Sequence, residues 1–323
     1  MNETLLQGGT PLQWPVISLE DVRKSFGGFE LGPLDLKIEP GQLVAIVGPS
    51  GSGKSTLFEM LMNVIVPDSG EVRLFGRAYP RDEVATKQRI GYVPELALGY
   101  DNMRAKDLEK FVSYWYPRWD QKLYEELTGR LDVESCTKKK IGKLSKGVQR
   151  RLFFALAVAT GADLLLLDEP TSGLDPLARR EMLDDILRFM DGDDDRTVVF
   201  STHLMEEVRL IADYVVVLVD GELRGPYEKE DLLRRWKSLW VDREPEGDIP
   251  GVLEVESGTP ARIVSDSPQE TAEALCAENI RIVRSGALDL EEILSYLMRR
   301  NEEGRFAVSR EEGGHGGRGG RGA

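Results

Sequence analysis

Leu43-Val44-Ala45-Ile46-Val47-Gly48-Pro49-Ser50-Gly51-Ser52-Gly53-Lys54-Ser55-Thr56 is the stretch on which the reading of this chain turns. Its five opening residues are all apolar, as expected of a strand covered on both faces. Good helix formers follow from Lys54 over residues 54–63. Between them lies a Gly-rich turn. Glycines let the backbone curl so that several N–H groups point at one anion, and the helix behind adds its positive N-terminal end. Gly48, separated by four residues from Gly53-Lys54-Ser55, completes the phosphate-loop spacing. The pattern predicts that Gly48, Pro49, Ser50, Gly51, Ser52, Gly53, Lys54, Ser55 and Thr56 bind a nucleotide. Lys54 should reach the β- and γ-phosphates, and the Ser55 hydroxyl should ligate Mg²⁺. A Gly/Ser linker ending by chance in Lys-Ser is the plain alternative, but the flanking strand and helix weigh against it.

Outward from this stretch, further short β-rich runs occupy 16–22, 34–38, 164–167, 198–201 and 214–219, and a helical pattern covers 179–190. Strands alternating with helices predict an α/β core with a largely parallel sheet. The run Leu164-Leu165-Leu166-Leu167-Asp168-Glu169-Pro170 places two acids at a buried strand end, where an open α/β sheet presents its ligand site. Asp168 can hold Mg²⁺, and Glu169 can polarise an attacking water. Two acids after a strand can also merely begin a turn. Alongside a phosphate loop, the chemical reading is preferred.

The remaining composition sets boundaries. The chain has 323 residues, a net charge of −14, 41% hydrophobic and 30% charged residues. No uncharged apolar run approaches the roughly 18–20 residues that span a bilayer. The opening MNETLLQGG has neither the basic nor the apolar region of a secretory signal. Cys136 and Cys276 alone suit a reducing compartment. A cytoplasmic globular protein is expected, and its acidity argues against a general nucleic-acid binder. Residues 1–15 read as a loose leader, 16–228 as the α/β unit, 229–303 as a small appended α+β domain and 304–323 as a Gly-rich tail. The core is expected to end near Gly225-Pro226. The appended domain, with ten basic and seventeen acidic residues, supplies half of the net charge.

From residue 16 to about 228 the chain resembles the ATP-binding cassette (ABC) ATPases. The likeness rests on GPSGSGKST from Gly48, LSKGVQ from Leu144, LLLLDEP from Leu164, SGLD from Ser172 and STH ending at His203. The resemblance implies a phosphate-loop NTPase core with an antiparallel β subdomain and a helical subdomain over about 96–160. Two cassettes would sandwich two ATP molecules, so Ser145 and Gly147 would touch the γ-phosphate held by a partner chain. Asp175 would lie at the dimer seam, and His203 would contact the γ-phosphate and fix the attacking water. Phe26 is the candidate for stacking on adenine and Phe29 the alternative. A place for Phe26 in the core of the first β-ribbon competes with both.

Three departures from the family pattern stand out. The signature reads LSKGVQ where LSGGQ is common, so Lys146 replaces a glycine and Val148 a glutamine. Glu95 stands where a glutamine usually senses Mg²⁺ and the membrane partner; its carboxylate can ligate Mg²⁺ while adding negative charge. Residues 138–151 hold seven basic residues and no acid, either a solvated helix start or electrostatic support for triphosphate. Within the helical subdomain, Tyr114-Trp115-Tyr116-Pro117-Arg118-Trp119 is dense in aromatics, which suits either an interface or core packing.

The resemblance implies an ATPase subunit that drives a separate membrane permease, most like those of bacterial exporters. It would pair with a second cassette, the same chain or a related one, and lie at the inner face of the cell membrane. Soluble cassette ATPases of DNA repair or translation are the alternative, but they usually carry a long coiled-coil insertion or two cassettes. A nucleotide switch that hydrolyses poorly is a third reading, against which Glu169 and His203 argue.

Overall fold

The first strands, β1 (Ile17–Phe26) and β2 (Phe29–Ile38), form an antiparallel hairpin in the computed structural model, which describes residues 14–95 and 99–299. Apolar residues on one face of this ribbon, including Ile17, Leu19, Leu34, Leu36 and Ile38, are buried. Strand β3 (Leu43–Val47) is buried at every residue and leads through the Gly-rich turn into α1 (Lys54–Leu61). Then come β4 (Ser69–Leu74), β5 (Arg77–Ala78), α2 (Glu83–Lys87) and β6 (Ile90–Val93). Strands β4 and β5 return to the hairpin and complete an antiparallel sheet of order β2-β1-β4-β5.

A helical segment follows, with α3 (Ala105–Trp115), α4 (Gln121–Arg130) and α5 (Lys146–Ala159). The chain re-enters the sheet as β7 (Leu164–Asp168), then runs through α6 (Pro176–Met190), β8 (Thr197–Thr202), α7 (Met205–Ile211), β9 (Tyr214–Val219) and β10 (Glu222–Glu228). The second sheet has the order β10-β9-β3-β8-β7-β6. Strands β9, β3, β8, β7 and β6 are parallel, and β10 closes one edge antiparallel to β9. A central parallel strand has both faces covered, which is why 43–47 and 164–167 read as unbroken apolar runs rather than alternations. The expected mixed α/β architecture is present. Parallel pairing places the C-terminal ends of β3, β8 and β7 side by side.

Gly225-Pro226, near the expected end of the core, lies inside β10, at a register shift between Arg224 and Tyr227. Proline cannot donate to a ladder, yet an edge strand tolerates it at an irregularity. The chain divides after Asp231, within α8 (Lys229–Arg235). The second unit holds β11 (Lys237–Val241), β12 (Val252–Glu256), β13 (Ala261–Ser265), α9 (Pro268–Ala277), β14 (Ile282–Ala287) and α10 (Leu290–Arg299). Its antiparallel sheet has the order β12-β13-β11-β14. Leu239, Val241, Ile263, Leu275 and Ile280 belong to its own core. Helix α10 buries Leu290, Ile293, Leu294 and Leu297, the i, i+3, i+4, i+7 stripe of an amphipathic helix. Residues 1–13 of the expected leader and the tail 304–323 lie outside the described residues.

Candidate functional site

The turn after β3 is shaped by its neighbours. A β-carbon added to buried Gly48 would lie 2.0 Å from the Leu218 carbonyl oxygen of β9, so only glycine fits there. Gly53, the residue ahead of α1, has φ 105°, in the left-handed region that glycine enters without steric cost. Helix α1 therefore starts directly beneath the loop, its N-terminal N–H groups aimed upward. The Lys54 ammonium folds back to donate to the Gly48 and Pro49 carbonyls, at 2.9 and 3.0 Å. Burial lowers its pKa, while Glu169, Asp168 and Glu95 each favour the charged form. A desolvated cation on an arc of N–H groups is an anion cradle.

At the neighbouring strand ends, Ser201 of β8 joins Asp168, the last residue of β7, and Glu169 just beyond it. Its hydroxyl donates to Asp168 Oδ1 at 2.6 Å and accepts from the Glu169 N–H at 2.9 Å. Asp168 is buried, whereas Glu169 has φ 50°, a sharp left-handed turn that sends its side chain away from that of Asp168. Glu169 Oε2 meets His203 Nδ1 at 2.9 Å. With the carboxylate ionised, Nδ1 carries the proton of this bond. Burial, the largest influence, raises the Glu169 pKa, and Asp168 adds to it. His203 and Lys54 pull it back. A carboxylate so placed is poised to take a proton from water.

These groups surround one cavity of about 470 Å³, lined by the phosphate loop (Ser50, Gly51, Gly53, Lys54, Ser55 and Thr56) together with Glu95, Asp168, Glu169 and His203. Pro49 and Ser52 face an adjoining hollow of about 420 Å³. Phe26 and Phe29 both line the main cavity. Phe26 is 39% exposed, so it is not a residue of the ribbon's core, whereas Phe29 packs partly against that core. The Ser55 hydroxyl and the carboxylates of Asp168 and Glu95 give the cavity hard oxygen donors. They fit a Mg²⁺ ion, which keeps water and phosphate ligands and needs no all-protein cage.

Ser145, Gly147 and Asp175 are not among the residues lining this cavity. Ser145 caps α5, its hydroxyl accepting from the Val148 N–H at 3.3 Å. Gln149 braces the same turn by donating to the Ile141 and Leu144 carbonyls. Asp175 caps α6 through the N–H groups of Leu177 and Ala178, both at 3.0 Å, and these bonds lower its pKa. The basic run 138–151 divides in two. Its lysines, Lys138, Lys139, Lys140, Lys143 and Lys146, are exposed, whereas Arg150 is half-buried. The Arg150 guanidinium donates to the Glu169 carbonyl, to that of Asp168 at 3.3 Å and to that of Glu95 at 3.0 Å. Sequence reasoning treated Arg150 as one charge among seven and passed over Ser201. Neither residue carries a local signal, because each acts through contacts 18 to 55 residues away along the chain.

The aromatic segment also divides. Tyr114 and Trp115 are exposed, at 83% and 50%. Tyr116 donates from its hydroxyl to the Ile90 carbonyl, and Trp119 packs on Tyr124 with ring centres 5.3 Å apart. Leu108, Phe111, Val112 and Trp115 form one stripe of α3 along a second, largely apolar cavity of about 620 Å³. Tyr92, Pro94 and Phe153 line it from other elements.

Residues 31–172 match the family model described as ABC transporter. An uncharacterised ABC transporter ATP-binding protein of Synechocystis is 30% identical over 66% of this chain, which spans 63% of that relative's length. A Nod factor export ATP-binding protein I of Cupriavidus metallidurans is 31% identical over 64% of this chain and 69% of its own. Among solved structures, the dimeric structure of a bacterial ABC transporter cassette superposes with a TM-score of 0.59 at 26% identity, covering 66% of this chain and 98% of that one.

Proposed function

The chain belongs to the ATP-binding proteins of the ABC transporter family, and from that premise we propose that it hydrolyses ATP to drive a separate membrane subunit in the outward direction of an exporter. One observation carries the reading: Lys54, Asp168, Glu169 and His203 converge from adjacent strand ends on a single cavity. The phosphate loop and Lys54 hold the β- and γ-phosphates. Ser55, Asp168 and Glu95 hold Mg²⁺, which when bound neutralises phosphate charge. Glu169 takes the proton of the attacking water. His203 holds the Glu169 carboxylate through Nδ1 and faces the γ-phosphate. Phe26, exposed beside the loop, stacks on adenine; such stacking is worth about 1–3 kcal/mol.

Ser145, Gly147 and Asp175 lie away from this chain's own cavity, which supports their acting on ATP held by a second cassette. The dimeric form of the cassette related at 26% identity supports the same reading. Among the described residues no helix is long and apolar enough to cross a membrane. The membrane half is assigned to another polypeptide, with this chain at its cytoplasmic face, because the related ATP-binding subunits pair with separate membrane subunits. The apolar groove along α3, with Trp115 exposed at its rim, is the surface assigned to that partner. The export direction rests on the Nod factor export relative. Residues 229–303 are assigned as an accessory domain, and the cassette as 16–228.

Sedimentation of the full chain carrying Glu169→Gln tests the assembly. With ATP and Mg²⁺ it should run as a dimer, and with ADP as a monomer. A monomer under both conditions would overturn the two-cassette arrangement.

A further inference from the structure

Glu169 and His203 hang from loops that leave two different strands. Ser201 ties the Glu169 backbone to β8, but the side-chain pairing depends on where both loops run beyond the strand ends. Glu207 occupies that junction. It lies on α7, four residues after His203, and is 0% exposed. One carboxylate oxygen accepts from the hydroxyl of Thr171, two residues beyond Glu169. The other accepts from the hydroxyl of Thr202, which immediately precedes His203, at 2.7 Å. Thr202 in turn accepts from the Leu204 N–H at 3.0 Å, so the clamp extends to both sides of His203. Thr171 and Thr202 are themselves buried. A single planar group thus fixes both loops at once.

The cost of this arrangement is informative. Burying a carboxylate is unfavourable unless it is well paired, and an apolar side chain of similar size often serves stability as well or better. Here the charge has two hydroxyl donors, and Arg179 of α6 stands 3.7 Å from the same oxygen that Thr171 reaches. An acceptor-only group with two oxygens can take both hydroxyls in the same sense. Glutamine of the same shape offers one acceptor and a donor, so one threonine must turn away. We propose that Glu207 is a positioning residue for the hydrolytic pair, acting through Thr171 and Thr202 to set the Glu169–His203 contact. This rests on the assignment of Glu169 as the base.

The test is Glu207→Gln in the full chain, with two readouts. In steady-state hydrolysis, kcat should fall by about 10- to 100-fold, the scale of a displacement near 1 Å, while KM for ATP stays within about twofold. In nitrogen–proton correlation spectra of the imidazoles, the His203 signals should move; the chain has one other histidine, His315, as an internal reference. Glu206→Gln, on the exposed neighbour, should change neither readout. In a Glu169→Gln background, Glu207→Gln should add no further loss, because residues acting as a unit are not additive. Thr171→Val provides the same comparison should Glu207→Gln not fold. Wild-type kcat with unmoved His203 signals overturns the proposal, and so does a kcat loss that persists undiminished in the Glu169→Gln background. Absence of hydrolysis by the wild-type chain would instead refute the ATPase assignment, and the imidazole spectra would still decide the positioning claim.

Discussion

Gly48→Ala probes whether the phosphate loop is shaped by the sheet beneath it. The added methyl would stand 2.0 Å from the Leu218 carbonyl oxygen, 3.1 Å from the carbonyl carbon and 2.9 Å from Ser52 Oγ. A carbon rests about 3.3–3.6 Å from such an oxygen, so more than 1 Å of overlap must be relieved. The serine hydroxyl can swing aside. The Leu218 carbonyl cannot, because its residue is paired with Leu223 in the β9–β10 ladder. The cost therefore lies at the upper end of the overpacking range, about 3 kcal/mol. For a unit of this size that corresponds to a melting midpoint lower by about 6–12 °C. Relief by moving the loop displaces its N–H groups, so ATP affinity should fall by about tenfold or more, equivalent to about 1.4 kcal/mol. Gly27→Ala is the matched control, since its methyl would meet nothing within 4 Å. It should stay within about 0.5 kcal/mol of wild type. Calorimetric melting and titration with ATP read both quantities. A Gly48→Ala protein that melts within about 2 °C of wild type, less than 1 kcal/mol, and binds ATP unchanged would refute the argument.

Further predictions follow from the same geometry. Arg150→Ala removes guanidinium bonds to the Glu95 and Glu169 carbonyls, so hydrolysis should fall by about tenfold or more, and Arg150→Lys should not restore it because an ammonium lacks the fork. Since burial raises the Glu169 pKa, the acid limb of the kcat profile should lie above pH 4.5: the base is ionised above its pKa, and activity disappears as pH falls through it. His203 lowers that pKa, so His203→Ala should move the acid limb to higher pH, readable from whatever hydrolysis remains. Trp115→Ala, at an exposed site, should leave stability within about 0.5 kcal/mol and weaken only capture of the membrane subunit. Trp119→Ala, losing its packing on Tyr124, should cost about 1–2 kcal/mol in urea unfolding.

Much of the cassette was legible in the sequence because its determinants are local. A five-residue all-apolar run such as 43–47, with glycines after it that announce a turn, reads as a strand covered on both faces. The acids at Asp168 and Glu169 follow a strand of the same kind. The structure adds what depends on pairing between distant segments. Ser201 and Glu207 gain their importance because β7 and β8 are neighbours, which a motif scan does not register. Arg150 looked like part of a basic patch until the fold turned it inward while the nearby lysines remained exposed. The aromatic segment, which suited either an interface or core packing, divides between them: helix α3 ends at Trp115, so Tyr114 and Trp115 stay at the surface while Tyr116 and Trp119 turn into the packing. Gly225-Pro226 resembles a terminator, but an edge strand can absorb a proline at a register shift.

The central claim is that this chain hydrolyses ATP with Glu169 as the base. Phosphate release by the purified full chain with ATP and Mg²⁺, measured beside ATP binding, tests it most directly. The wild type should turn over, and Glu169→Gln should be slower by about 10²- to 10⁴-fold while still binding ATP. Wild-type turnover in Glu169→Gln would contradict the account.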